Sequence, residues 1–503
     1  MRRLTRLLST LTICGLANTL AAQGQPPGGR GGSTVRRWIP DPESQLLPAP
    51  VPSTIRDGFR LVTLGDLLYW RPVKPQIDSG MESALRLVRG ADFATANLEG
   101  TFFDLRTKRI APTGGGLMAG APDLAEDIKN LGVRLVSKAN NHSVDWGVAG
   151  MNETRRLLEA AGLPYAGAGD NRQAARAATF VDTPKGRVGV VAAASSFQPT
   201  AVPMDEDADI PARGGISVLR TTSVHTVTAK EMAVLEQMDA VRKSSGLAIS
   251  GNAGGRGGGP PQSSDANGPK EISVLGQTYR LGSRSGWTWS MNKLDHFEIL
   301  REVRSAKKLS DLVIFTIHAH EGPDAPGEGD GPYPADFLPT LFHNVIDAGA
   351  DVVAGHGSHA LRGIEIYKGR PIFYGLSTFL FQGYILVTQD SRDAQNVDPR
   401  YSSRGDNEVR LNGGPPPGAV DSTGLLGSWN VSILPVMTYE GGKVKEIRIY
   451  PIDVRRNAQA KQSGLPRLAT AELAQHVLRL MRELSAPFGT KIEIEGDVGV
   501  IRP

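Results

Sequence analysis

The sequence predicts an α/β fold with much of its sheet parallel. Short apolar runs alternate with longer amphipathic ones from Phe59 onward, the alternation that builds strand–helix–strand units. Several of the short runs are near-continuous Val, Ile, Leu and Ala, as strands buried on both faces require. Five of them end in polar residues of metal-ligand type. In order, the predicted strands are Phe59–Leu64, Asp92–Ala96, Arg134–Ser137, Arg187–Ala192, Asp311–Ile317 and Asp351–Ala354. The predicted helices are Ser79–Arg89, Ala121–Leu131, Gly147–Ala161, Ala229–Lys243, Lys293–Lys308 and Ala335–Ala348. Toward the C-terminus, Trp429–Thr438 and Lys443–Tyr450 read as a strand pair around Glu440-Gly441-Gly442. Ala471–Ser485 reads as a helix, followed by two short strands.

Composition narrows the class. The 503 residues carry 56 Lys+Arg against 52 Asp+Glu, and one Cys, so a disulfide scaffold is excluded. Arg2, Arg3 and Arg6 supply most of the excess charge. With them set aside the chain is nearly neutral, which gives no indication of a nucleic-acid partner. Those arginines precede the mostly apolar Leu7–Leu20 and the small residues Ala21 and Ala22, the three regions of an export signal over 1–22. The expected location is therefore periplasmic, extracellular or cell-surface associated. Residues 23–58 read as a linker, 59–385 as the main domain with a Gly/Pro-rich insertion over 251–269, 386–426 as a polar loop, and 427–503 as strands and a helix completing the same fold.

The chemistry lies at the strand ends. LVTLGD ends at Asp66, FATANLE at Asn97 and Glu99, and RLVSKANNH at Asn140, Asn141 and His142. VIFTIHAHE ends at His318, His320 and Glu321, and DVVAGHGSH at His356 and His359. Carboxyl ends of parallel strands share one edge of a sheet, where ligands bind. Singly, each motif has an ordinary reading. Gly65-Asp66 would be a turn, and Asp145 would be the N-cap of the helix that follows it. Five coincident strand ends point instead to one shared polar site. Carboxylates, an amide and imidazoles without thiolate suit divalent Mn, Fe, Zn or Co. Six to seven donors with a carboxylate able to bridge suggest two ions rather than one. His142 reads either as a ligand or as a proton donor beside the metal.

At these residues the chain resembles the bacterial capsule synthesis protein CapA family, associated with poly-gamma-glutamate biosynthesis and related to calcineurin-like metallophosphatases. The resemblance rests on GDLLYWR (65–71), ADFATANLEG (91–100), SKANNHSVDWGVAGMNET (137–154), YAGAGDNRQAAR (165–176), the long 347–381 segment and LSAPFGTKIEIEGDVGVI (484–501). It implies a four-layer α/β/β/α metallophosphatase-like sandwich, two sheets flanked by helices. It implies metal ligands Asp66, Glu99, Asn141, His318, His356 and His359, with His142 catalytic, and one or two ions of Mn, Fe or Zn. Arg71, His320, Glu321 and Arg362 fall where substrate would be bound. A polymer or small anionic substrate, and a capsule-synthesis membrane complex as partner, follow from the same resemblance. There are departures. Leu68 stands where the phosphatases have His. The family's His-Trp-Gly is His318-Ala319-His320, its His-His-Pro-His is His356-Gly357-Ser358-His359, and Arg362 replaces a common Gln. Three functions stay open: a capsule-polymer protein with a hydrolase-type site, a general metallophosphoesterase or amide hydrolase, and a non-catalytic polymer-binding scaffold.

Overall fold

A computed structural model describes residues 52–68, 72–104, 110–111, 113, 119–245, 270–274, 277–323, 331–382, 431–454 and 464–503. The segment 1–22 expected to be an export signal, most of the expected linker, the 251–269 insertion, the 386–426 loop and Arg71 lie outside these residues. The strands that position the site are β1 (Arg60–Leu68), β2 (Phe93–Leu98), β3 (Leu135–Ser137), β4 (Gly186–Ala194), β5 (Leu312–His318), β6 (Val352–His356), β7 (Thr378–Phe381), β8 (Val431–Glu440) and β9 (Lys443–Asp453). The helices that cover these strands are α1 (Ser79–Arg89), α2 (Leu124–Leu131), α3 (Gly147–Ala160), α4 (Lys293–Leu309), α5 (Phe337–Ala348) and α6 (Ala471–Ser485), and Arg172–Arg176 and Ala229–Ser244 are also helical.

Two large sheets form. In the first, β1 lies parallel to β2, and β2 to β3. The first half of β1 also pairs antiparallel with β8, and its second half parallel with β7. The hairpin β8–β9 extends this sheet. In the second, β4, β5 and β6 run parallel in spatial order, flanked by Thr179–Thr183 on one side and by Arg370–Phe373 and Ile364–Tyr367 on the other.

Period-two alternation along each strand builds the layers. Leu61 of β1, Phe93 and Leu135 face Val188, Val190, Leu312, Ile314 and Val352 in a core between the sheets, joined by Val477, Leu478 and Met481 of α6. The alternate residues Val62, Leu64 and Ala94 face α1 and α2 through Met81, Leu85, Val88, Leu124 and Ile128. On the far side, Val191, Val313, Phe315 and Val353 pack on Ile299 and Val303 of α4 and on Leu338, Leu341 and Phe342 of α5. The order helix, sheet, sheet, helix is the four-layer sandwich that the resemblance implies. Each fully buried aliphatic side chain stabilises by roughly 1.5–3 kcal/mol. The core therefore sets the register, and the strand ends are left to carry polar groups.

Two expectations need correction. Residues 52–58 are not linker: Ile55 is buried in the inter-sheet core, and Thr54 N donates to Asp311 O at 3.1 Å. One isolated apolar residue has no periodicity to announce it. A separate four-stranded sheet, Thr221–Val227, Glu271–Val274, Gln277–Leu281 and Gly286–Met291, was also not anticipated. Its strands are short and mostly half-buried, so they lack an apolar run.

Candidate metal centre

The carboxyl ends of both sheets meet at one seam. Asp66 lies inside β1 rather than after it, at a register shift that re-aims its side chain. Position 65 must be glycine, because a Cβ there would stand 2.0 Å from the carbonyl oxygen of Ser377. Asp66 N donates to that same oxygen at 3.0 Å. Glu99 follows the last residue of β2, and Asn140–His142 follow β3. His318 ends β5, His356 ends β6, and the two are paired across the ladder. His359 is held at φ 46°, a conformation costly for a non-glycine residue, with its carbonyl accepting from Ser377 Oγ at 3.1 Å.

The donor atoms converge. Glu99 Oε1 stands 3.7 Å from His142 Nε2, 3.8 Å from His318 Nε2 and 3.8 Å from His359 Nε2. Asp66 Oδ1 is 3.5 Å from His356 Nδ1, and Oδ2 is 3.5 Å from His359 Nδ1. His318 Nε2 and His320 Nε2 are 3.1 Å apart, and His320 Nε2 is 3.2 Å from Asn141 Nδ2. Ligands about 2.0–2.2 Å from one ion stand roughly 3–3.5 Å from each other, close to the spacings seen. In each of two groups, Asp66/Glu99/His318 and Glu99/His320/His359, the ligand atoms all lie within 4.8 Å of one another. Glu99 is common to both. Among the described residues, buried Asn141 Oδ1 has no hydrogen-bond partner, and His356 Nδ1 has only the Asp66 carboxylate nearby, at 3.5 Å. Carboxylates, imidazoles and an amide with unused lone pairs, in a buried cluster, fit a divalent cation.

Electrostatics favours the ligating forms. Burial pushes the Asp66 carboxyl up, but His356 and His359 outweigh it and hold it well below the ordinary carboxylate range. Burial, aided by His320, holds the His318 imidazole well below its usual value, so it is neutral at pH 7. Asn97 Nδ2 donates to Asp66 Oδ1 at 2.8 Å and Gly357 N to Oδ2 at 3.2 Å, which fixes the carboxylate. Beneath the site, burial lowers Lys138 to about 7 against the pull of Asp145 and Glu99.

His142 is set apart from the other imidazoles. Its Nδ1 is 2.8 Å from Asp145 Oδ2, and Asp145 Oδ1 accepts from Gln198 Nε2 at 2.7 Å. The carboxylate therefore fixes the ring with Nε2 toward Glu99. Asp145 is not the helix cap that its position suggests; Trp146 precedes α3 and no side chain caps it.

The four residues expected to bind substrate divide. Arg71 lies outside the described residues. His320 joins the ligand cluster itself. Glu321 Oε2 accepts from Ser195 Oγ at 2.7 Å and Ser196 Oγ at 3.0 Å, and Ser196 Oγ also accepts from His320 N at 2.8 Å. Its carboxylate is thus engaged in holding the loop. Arg362 is likewise engaged with the backbone. It is 1% exposed, and its guanidinium donates to the carbonyls of Glu321 at 3.1 Å and Gly331 at 3.1 Å. Sequence reasoning missed Asp145, Ser195, Ser196, Gln198 and Lys138. The His-x-x-Asp spacing of 142 and 145 was the one signal available.

Comparison with known proteins places this arrangement. The family described as "Bacterial capsule synthesis protein PGA_cap" matches residues 60–383. An "Uncharacterized protein y4sH" of Sinorhizobium fredii is 36% identical over 457 residues, covering 90% of this chain and 94% of that protein. The "Capsule biosynthesis protein CapA" of Bacillus anthracis is 22% identical over 68% of this chain and 64% of its own length. The "PGA biosynthesis protein CapA" of Bacillus subtilis is 36% identical over 89 residues, 18% of this chain and 22% of its own.

Proposed function

The chain belongs to the bacterial capsule synthesis protein family, and on that premise we propose that it is an exported protein of poly-gamma-glutamate or capsule-polymer biosynthesis with a metal-dependent hydrolase site. The observation that carries this reading is the approach of three imidazole nitrogens, from separate strand ends, to one carboxylate oxygen of Glu99. Asp66, Glu99, Asn141, His318, His320, His356 and His359 would hold one or two divalent ions, with Glu99 shared if there are two. A bound divalent cation supplies positive charge that activates water and stabilises developing oxyanion charge. Asp66 and Glu99 supply anionic donors, and neutral His318 supplies a lone pair at physiological pH. His142, oriented by Asp145, presents Nε2 to the pocket and passes a proton to the leaving group of a phosphoester or amide. Export rests on the 1–22 segment, and the polymer on the family.

Leu68 favours a second reading. It is 5% exposed and supplies no donor beside Asp66, which fits a polymer-holding protein loaded with a single ion. The discriminating experiment reloads the purified chain with Mn²⁺ or Zn²⁺. Metal content is then measured together with cleavage of a generic phosphodiester and of a short glutamate oligomer. Bound metal with metal-dependent cleavage of either compound is the expected result. Bound metal without cleavage favours the scaffold, and a chain that takes up no metal refutes the site.

A further inference from the structure

Lys138 is completely buried, yet it belongs to none of the groups that line the site. A lysine at such a position costs several kcal/mol unless its charge is met, so an apolar side chain would be the cheaper occupant. Its surroundings show what it does. The ammonium donates to the carbonyl of Leu98 at 3.2 Å and, more closely, to the carbonyl of Gly100. These two carbonyls bracket Glu99. Gly100 itself has φ 138°, so the Gly100–Thr101 peptide is turned out of the strand direction and offers its oxygen to Lys138. Lys138 also opens the segment that carries Asn141 and His142. Its backbone N donates to Ala166 O at 2.8 Å, and its carbonyl accepts from Ser143 Oγ at 2.5 Å.

We propose that Lys138 is a positioning residue: by tying down the carbonyls of Leu98 and Gly100, the residues on either side of Glu99, from the root of the 138–145 turn, it fixes the Glu99 carboxylate against the imidazoles and locks two ligand-bearing segments to each other. This inference rests on Glu99 serving as a metal ligand. The tether and the charge of Lys138 act in opposite directions on a dication. Losing the positive charge alone would strengthen cation binding by Coulomb attraction, whereas losing the tether weakens it. The tether dominates.

The test uses the full chain as Lys138→Met, which keeps the length of the stem, and as Lys138→Gln, which keeps a donor without the charge. Mn²⁺ binding is titrated, Co²⁺ absorption spectra are recorded, and amide exchange is followed across 98–102 in the metal-free protein. Expected for Lys138→Met are a 10–100-fold loss of Mn²⁺ affinity, the range usual for groups that orient a ligand, a shifted Co²⁺ spectrum and faster exchange at Gly100 and Thr101. Lys138→Gln recovers part of the affinity. If Lys138→Met does not fold, Lys138→Gln carries the test, with a several-fold loss expected. Affinity equal to or tighter than wild type in the variant that folds overturns the role of Lys138 and leaves the metal reading intact. A wild-type chain that binds no Mn²⁺ overturns both.

Discussion

Asp66 and Asp351 are both buried acids in the same pair of sheets, and they are neutralised in opposite ways. Asp351 precedes β6, at the edge away from the site. It is 2.8 Å from Lys307 Nζ, 2.9 Å from Val313 N and 3.4 Å from Arg370 Nε. Asp66 sits at the other edge, where its ion-pair partners among the described residues are imidazoles at 3.5 Å. At the first edge protein cations complete the charge balance and the cluster is closed. At the second, imidazoles and a second carboxylate surround the acid, which is the environment of a cation supplied from outside. The contrast separates a buried acid that holds the fold from one that holds a ligand.

Substituting each acid should break the molecule in a different way. Asp351→Ala strands Lys307 and Arg370 and should lower unfolding free energy by about 3–5 kcal/mol while Mn²⁺ affinity stays the same. Asp66→Ala should lower Mn²⁺ affinity by more than about a hundredfold, since ligand loss exceeds the usual effect of outer groups. The metal-free stability of that variant should fall by less than that of Asp351→Ala, since no lysine or arginine is stranded by the change. Denaturant melts beside metal titrations decide the matter, and equal loss of stability in both variants would erase the distinction.

A smaller effect is expected one contact out from the ligands. Asp145→Asn weakens the grip on His142 Nδ1, so turnover of whichever phosphodiester the loaded chain cleaves should fall about tenfold to a hundredfold. Mn²⁺ affinity should be retained. Loss of metal in that variant would move His142 into the ligand set.

The smallest effect is in pH. His318 has its pKa lowered in the folded state, so its contribution is present above the unfolded value near 6.5 and is lost as pH falls below it. Metal-free protein should therefore lose about 1 kcal/mol of stability between pH 7.5 and 5.5. Asp66, lowered from a value already near 4, adds its own loss only at more acidic pH. His318→Gln should flatten the 7.5–5.5 slope, and an unchanged slope would assign it to other groups.

Much of this was legible in the residues. Helices Ser79–Arg89 and Ala471–Ser485 lie where periodicity places them, and in the structure Asp78 and Thr470 cap them by accepting from first-turn amides. The strand ends converge because parallel connection leaves them no other edge. What stayed hidden depends on partners far away in the chain. Glu321 looks like a pocket acid until Ser195, 126 positions earlier, is seen to donate to it. Arg362 reads from the resemblance as a substrate-binding cation, and its carbonyl partners appear only in the structure. Asp145 reads as a cap from its neighbours, and only Gln198, 53 positions on, and the His142 ring reveal its other use.

The pairing of β1 with β8 has a consequence for how the molecule comes into being. The contact of Asp57 with Gly441, beside that pairing, spans 384 positions. At about 5–20 residues per second a ribosome needs roughly 20–80 s to make that stretch. Throughout that interval β1, already translated with Asp66 on it, waits with half of one edge bare. The end of β1 remote from Asp66 is thus among the last features of the nascent chain to close, after the residues of the seam have all been made.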